Sequence, residues 1–180
     1  MTNPPDPSRT PFSRIKIRVG ALVFCGERVA LIRRDRPDSV HYTPPGGNVE
    51  PGEDLEVALR RELEEELALD PVEVGSPELL WVVDQRVTRP GRTPSPRKLH
   101  LLYRLHIAPA VQEGLAKEEY DLQADGSYEV GVVEWVHHRD TAGLPLFPPI
   151  GPALATLSDP RAVVADASLG AVTDEDYTWV

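Results

Sequence analysis

The chain has 180 residues, 41% of them hydrophobic and 27% charged, and a net charge of −10. That length suits one domain with a real core, while the acidity argues against stable nucleic-acid binding and makes a divalent cation a natural accessory to any polyanionic ligand. Its single cysteine, Cys25, excludes an internal disulfide, and no apolar run reaches the ~18 residues of a membrane span, so a cytoplasmic protein is expected.

Residues 1–13 are proline-rich and lack the apolar stretch of a secretory signal, which reads as a flexible arm. Residues 14–24, RIKIRVGALVF, alternate basic and apolar before becoming continuously apolar, the pattern of a strand entering a core. A turn at residues 25–28 and the apolar run at 29–32 complete a hairpin. Arg33 and Arg34 open a charged loop, and Thr43-Pro44-Pro45-Gly46-Gly47 follows as a rigid prolyl pair leading into two permissive residues. Asp54 is placed to cap a helix that runs to about Leu69 and stops at Asp70-Pro71. Further strands are predicted at 79–83, 99–107 and 130–136, separated by a basic loop at 86–98 and an acidic loop at 112–127. Residues 149–157 suit a short closing helix, and 158–180 a tail or partner-binding segment. The order predicts an α/β domain over residues 14–157, a mixed β-sheet flanked by helices. The arm and first strand leave room for a homodimer.

The predicted helix carries Glu62, Glu64, Glu65 and Glu66 within five residues. On a wheel, Leu55, Leu59, Leu63 and Leu67 form the apolar stripe, and Glu64 lies opposite it. Glu66 instead projects between Leu55 and Leu59, and Glu62 lies beside Leu55. Glu62, Glu65 and Glu66, at i, i+3 and i+4, share one surface. Like charges at this spacing cost about 0.2–0.5 kcal/mol per pair, which Arg60 and Arg61 offset only in part. A hard divalent cation resolves the conflict.

The surrounding spacing is more specific. Gly47, five residues, Glu53, seven residues, then Arg61-Glu62-Leu63-Glu64-Glu65-Glu66-Leu67-Ala68-Leu69 resembles the Nudix box, with Ala68 where that pattern has its last glycine. The upstream Pro45-Gly46-Gly47 is also similar to Nudix sequences. The resemblance implies an α/β/α sandwich and hydrolysis of a nucleoside diphosphate linked to another moiety. It implies Mg²⁺, or Mn²⁺, held by Glu65 and Glu66, with Glu62 contributing or serving as base. Gly46 or Gly47 would offer a backbone carbonyl, and Arg61 and Glu53 would orient the acids. Many members add a later carboxylate, for which Glu129 is the first candidate and Glu118 and Glu119 the rivals. A binding module that senses nucleotides without turnover is the alternative, but such modules often lose box carboxylates and this chain keeps Glu62, Glu65 and Glu66.

Substrate contacts are less legible. Arg33 and Arg34 end a strand near the Gly46-Gly47 loop and are candidates to meet phosphates, with plain exposed charge the alternative, and Tyr42 is a candidate to stack on a base. Trp81 and Tyr103 suit core packing better. His100 and His106 alternate with apolar residues and read as structural, and His137-His138 as solvent-facing. The substrate is expected to be a small nucleotide: ADP-ribose, another nucleotide sugar, or a nucleoside triphosphate.

Overall fold

The computed structural model describes residues 14–88 and 95–176. The arm, the centre of the basic loop and the last four residues of the tail lie outside the described residues.

The elements in chain order are β1 (Ile15–Cys25), β2 (Arg28–Arg36), β3 (Ser39–Thr43), β4 (Gly46–Asn48), α1 (Leu55–Leu67), β5 (Glu78–Arg86), β6 (Arg97–His106), α2 (Pro109–Glu113), β7 (Glu118–Leu122), β8 (Tyr128–His137), α3 (Gly151–Thr156) and β9 (Val172–Thr173). They build one mixed sheet in the order β7-β8-β2-β1-β6-β5-β9, with β3 on β2 and β4 on β1. The β1–β6 and β5–β9 pairs are parallel and the remaining pairs antiparallel. The expected α/β class with a mixed sheet is therefore observed. No helix among the described residues is long and apolar enough to cross a membrane.

The period of two along β1 makes two cores. Val19, Ala21 and Val23 face α1 and pack with Ala58, Leu59, Leu63 and Leu67. Leu22 and Phe24 face the other way, toward Ile150 and Leu154 around α3. The helix stripe is rotated from the predicted one: Leu55 is exposed, and Ala58 completes the buried face.

The charged loop expected after Ile32 is instead strand, β2 running to Arg36 with β3 paired back on it, and three further places differ from the sequence expectation. The acidic loop at 112–127 contains β7, an edge strand that exchanges the full antiparallel ladder with β8. Residues 158–176, expected as a loose tail, are laid against β5. Val82 N–H donates to Ala167 O, Leu169 N–H donates to Val82 O, and β9 carries the buried Val172. The buried Arg104 fixes the segment by donating to Pro160 O and Ala162 O. The third difference is His138, expected to face solvent, which is fully buried with Nδ1 on Leu154 O.

Ala68 takes the left-handed conformation (φ 54°, ψ 33°) and is the one non-glycine residue with positive φ among those described. Its N–H reaches Glu64 O, the bond of an αL cap, and Leu69 N–H reaches Leu63 O, with Leu63 and Leu69 both buried beneath it. The cap forms despite the missing glycine because these contacts outweigh the Cβ penalty of about 1 kcal/mol. Ala68→Gly is accordingly expected to raise stability by about 1 kcal/mol in denaturant melts with activity unchanged.

Candidate active site

Strands β1 and β2 pair only at the β1 C-terminal end, Phe24 with Val29 and Cys25 with Arg28. Where they diverge, β4 inserts beside β1, placing Gly46 against Gly20, Gly47 against Val19 and Asn48 against Arg18. Two glycines are needed for this. A Cβ on Gly46, whose φ is +142°, would stand 2.1 Å from Val19 O and 2.7 Å from Gly20 Cα. A Cβ on Gly47 would stand 2.2 Å from Glu62 Oε1. The glycine pair thus lets α1 press its acids onto the sheet.

Those acids divide by environment. Glu64 is exposed, as the wheel places it. Glu62 is half-buried over Gly47, with Oε1 accepting from Arg61 Nη1 at 2.7 Å. Glu66 is also half-buried, and its Oε2 accepts from Gly46 N–H at 2.7 Å. Burial, which outweighs that hydrogen bond, pushes the Glu66 carboxyl up to about 8, with Glu119 and Glu62 adding to the rise. Glu65 points outward, its side chain 59% exposed and 3.4 Å from Arg61 Nη1. Arg61 is the hub. It binds Glu53 through Nε at 2.8 Å and Nη2 at 3.0 Å, and Nη2 also reaches Asn48 O. The fork lowers the Glu53 carboxyl to about 2, helped by Glu50 N–H. Arg61 therefore ties the turn before the helix, β4 and the acidic face into one unit.

The later carboxylates separate as well. Glu119, on β7, is buried and pairs with Arg34 Nη2 at 2.6 Å beneath Gly131, where a Cβ would stand 2.8 Å from its Oε2. Its charge bears on Glu66. Glu129 lies further along the same ladder, bound to Arg36 at 3.1 Å and 4.0 Å from Arg34 Nε. Glu118 is exposed and accepts from the Tyr120 hydroxyl. Arg33 and Tyr42, predicted to meet substrate, instead converge on Glu134 at 3.0 Å each, on the α3 side of the sheet. Arg34 is thus the one of these three residues on the α1 side. The sequence reading missed Arg18 and underrated Glu119. The signal for Glu119 was its alternation with the exposed Glu118 and Tyr120, facing a glycine across the ladder.

Among the described residues no three His, Cys, Asp or Glu side chains stand in a ready metal-holding cluster. Glu65 is turned to Arg61, and Glu66 to a backbone N–H. The chemistry of the set nonetheless fits a hard cation: its donors are all oxygen, and burial makes Glu66 hold a proton where a divalent ion would ionise it. A carboxyl with a raised pKa contributes stability that is fully present below its ordinary value of 4.5 and is lost as pH rises through about 8. Metal-free protein should therefore lose stability between pH 5 and 8, by at most about 1.4 kcal/mol per pH unit. Glu66→Gln should flatten that slope in melts, and a slope unchanged by the substitution would contradict the assignment.

A cavity of about 410 Å³ adjoins this cluster on the other side of β4. Arg18, Gly46, His41, Lys98, Leu102 and Phe147 are among its lining residues. Its size is that of a small-ligand site.

The comparisons with known proteins agree with this fold. The sequence matches the NUDIX domain over residues 14–156. The fold is similar to a MutT NUDIX hydrolase from Burkholderia pseudomallei, 23% identical, with a TM-score of 0.53 over 81% of this chain and 100% of that one. It is also similar to a MutT protein from Methanosarcina mazei Go1, 20% identical, TM-score 0.55, covering 78% and 91% of the two chains. A C. elegans Ap4A hydrolase binary complex is 18% identical, with a TM-score of 0.51 over 77% of this chain and 92% of that one. No curated protein matches the sequence. The chain belongs to the Nudix family. It is a pyrophosphohydrolase of that family, and Nudix hydrolases generally use divalent metals.

Proposed function

We propose that this enzyme hydrolyses a pyrophosphate bond in a nucleoside diphosphate derivative with Mg²⁺. The observation that carries this reading is the half-buried Glu62 and Glu66 pair pressed against Gly46-Gly47 and braced by Arg61–Glu53. Glu62, Glu65 and Glu66 would hold the ion, with a backbone carbonyl of the glycine pair. When bound, Mg²⁺ neutralises the diphosphate and makes phosphorus more electrophilic. The chain's own groups supply the rest. Arg61 fixes the acidic face so that its oxygens need not reorganise during reaction. A carboxylate removes the proton of the attacking water, and Glu119 is the better placed of the later acids because its charge reaches Glu66. Arg34, paired with Glu119, stands ready to meet phosphate oxygens.

Nucleotide sugars such as ADP-ribose and nucleoside triphosphates are the substrate classes to test. Initial rates across a panel of both, with Mg²⁺ and with chelator, are expected to show turnover that needs the metal and yields a nucleoside monophosphate. Tight nucleotide binding without turnover on any of them would favour the sensor alternative.

A further inference from the structure

The start of β1 is inverted relative to an ordinary surface strand. Ile15 and Ile17 are exposed at 66% and 41%, while Lys16 and Arg18 between and after them are half-buried. The parallel register sets Lys16 beside Lys98, Arg18 beside His100 and Gly20 beside Leu102. Alternation puts these six positions on one face, and all of them but Lys16 line the 410 Å³ cavity. This face is therefore graded, cationic at the outer end and apolar at the inner. Its central histidine is neutral: burial first, then Arg18 and Lys98, lowers His100 to about 3, and its Nε2 is engaged with Gln85. Among the described residues no acidic side chain lines the cavity, although the chain carries 29 Asp and Glu against 19 Lys and Arg.

Arg18 is the residue this arrangement leaves unanswered. Among the described residues, no carboxylate lies within ion-pair distance of its guanidinium. Its two hydrogen bonds are long and go to neutral acceptors, Gly46 O at 3.3 Å and Asn48 Oδ1 at 3.4 Å. A guanidinium has five donors in a rigid fork that matches phosphate oxygens. Gly46 receives this contact at its carbonyl and donates its N–H to Glu66, so one residue joins the cavity to the acidic cluster. Arg18 is half-buried, and the acids whose charge reaches it, Glu62 and Glu66, do not touch it, so its fork is open to a direct anionic partner such as a phosphate.

We propose that Arg18 is a substrate-positioning residue. It binds the non-bridging oxygens of the phosphate on the cavity-held nucleoside, and sets the adjoining phosphorus against the α1 carboxylates. The assignment rests on the pyrophosphohydrolase reading and adds the residue that fixes the register of the diphosphate. It also predicts that the apolar inner end, at Leu102 and Phe147, takes the planar base.

The test is equilibrium binding of α,β-methylene ADP and GDP, with adenosine and guanosine as uncharged counterparts, to wild type, Arg18→Gln and Arg18→Lys. Wild type is expected to bind at least one analogue more than about 10-fold tighter than its nucleoside, the scale of one bidentate charge-assisted contact. Arg18→Gln should erase that margin without lowering the melting temperature, and Arg18→Lys should restore part of it. Three results would overturn the proposal: no margin in wild type, an undiminished margin in Arg18→Gln, or a loss that tracks a lower melting temperature, which marks a brace for β4. Turnover in parallel separates this from the underlying reading. Arg18-dependent binding with no hydrolysis on any panel substrate sinks the hydrolase reading alone, and hydrolysis with KM indifferent to Arg18 sinks this proposal alone.

Discussion

Gly46→Ala is expected to cost about 3 kcal/mol or more of stability, whereas Gly47→Ala one position later should cost far less and lower activity instead. At Gly46 the added methyl meets Val19 O and Gly20 Cα, backbone atoms of the central strand that cannot step aside. The φ of +142° adds strain of about 1–3 kcal/mol for any residue with a Cβ. Against a total of about 5–15 kcal/mol, that is enough to detach β4 in much of the population. At Gly47 the methyl meets the far end of Glu62, which can swing away. The fold then survives, but Glu62 leaves its place beside Arg61, and turnover should fall by about 10-fold or more. Denaturant melts and initial rates on both variants read the split. Equal stability losses would contradict the assignment of the two glycines to different tasks.

Glu66→Gln is expected to reduce kcat by about 10²–10³-fold, with Glu65→Gln smaller or equal in effect. The amide keeps an oxygen for the Gly46 N–H, so the fold should be retained and the loss confined to chemistry. Glu65 has further to move, being drawn outward toward Arg61, and its loss should appear mainly as a higher metal requirement. Full activity in both variants would remove these carboxylates from the mechanism.

Much of this site is legible in the sequence because α1 is read by a simple rule. A helical period places Glu62 and Glu66 at the margin of a leucine stripe, and the fixed distances to Gly47, Glu53 and Arg61 explain why they are tolerated there. What the period misjudges is the stripe's edge: Ala58, too small to signal burial, replaces Leu55 against the sheet. The loops resist reading for a different reason. Arg33 and Arg34 are identical neighbours in the sequence, yet the pleat sends them to opposite faces, one to Glu134 and one to Glu119. Which face counts depends on the β2–β8 ladder, a contact about a hundred residues apart. Arg18 was hidden likewise, because its meaning arises only when β4 and β6 close on either side of it. Residues 158–176 have no alternating or helical apolar pattern, and their docking combines Val172, Ala162, Val164 and Leu169 on the core with hydrogen bonds to the Val82 backbone and the Arg104 side chain, partners that local sequence does not reveal.

The central claim is that the acidic run divides, with Glu66 facing the reaction and Glu64 facing water. Initial rates across an Mg²⁺ titration, measured side by side for Glu66→Gln and Glu64→Gln, test it most directly. Both variants replace a carboxyl by an amide of the same size on the same helix, two residues apart, so the substitution itself is matched and only its place differs. Turnover should fall by about 10²-fold or more in Glu66→Gln and stay at the wild-type level in Glu64→Gln. Equal rates in the two variants, whether both full or both lost, would contradict the account.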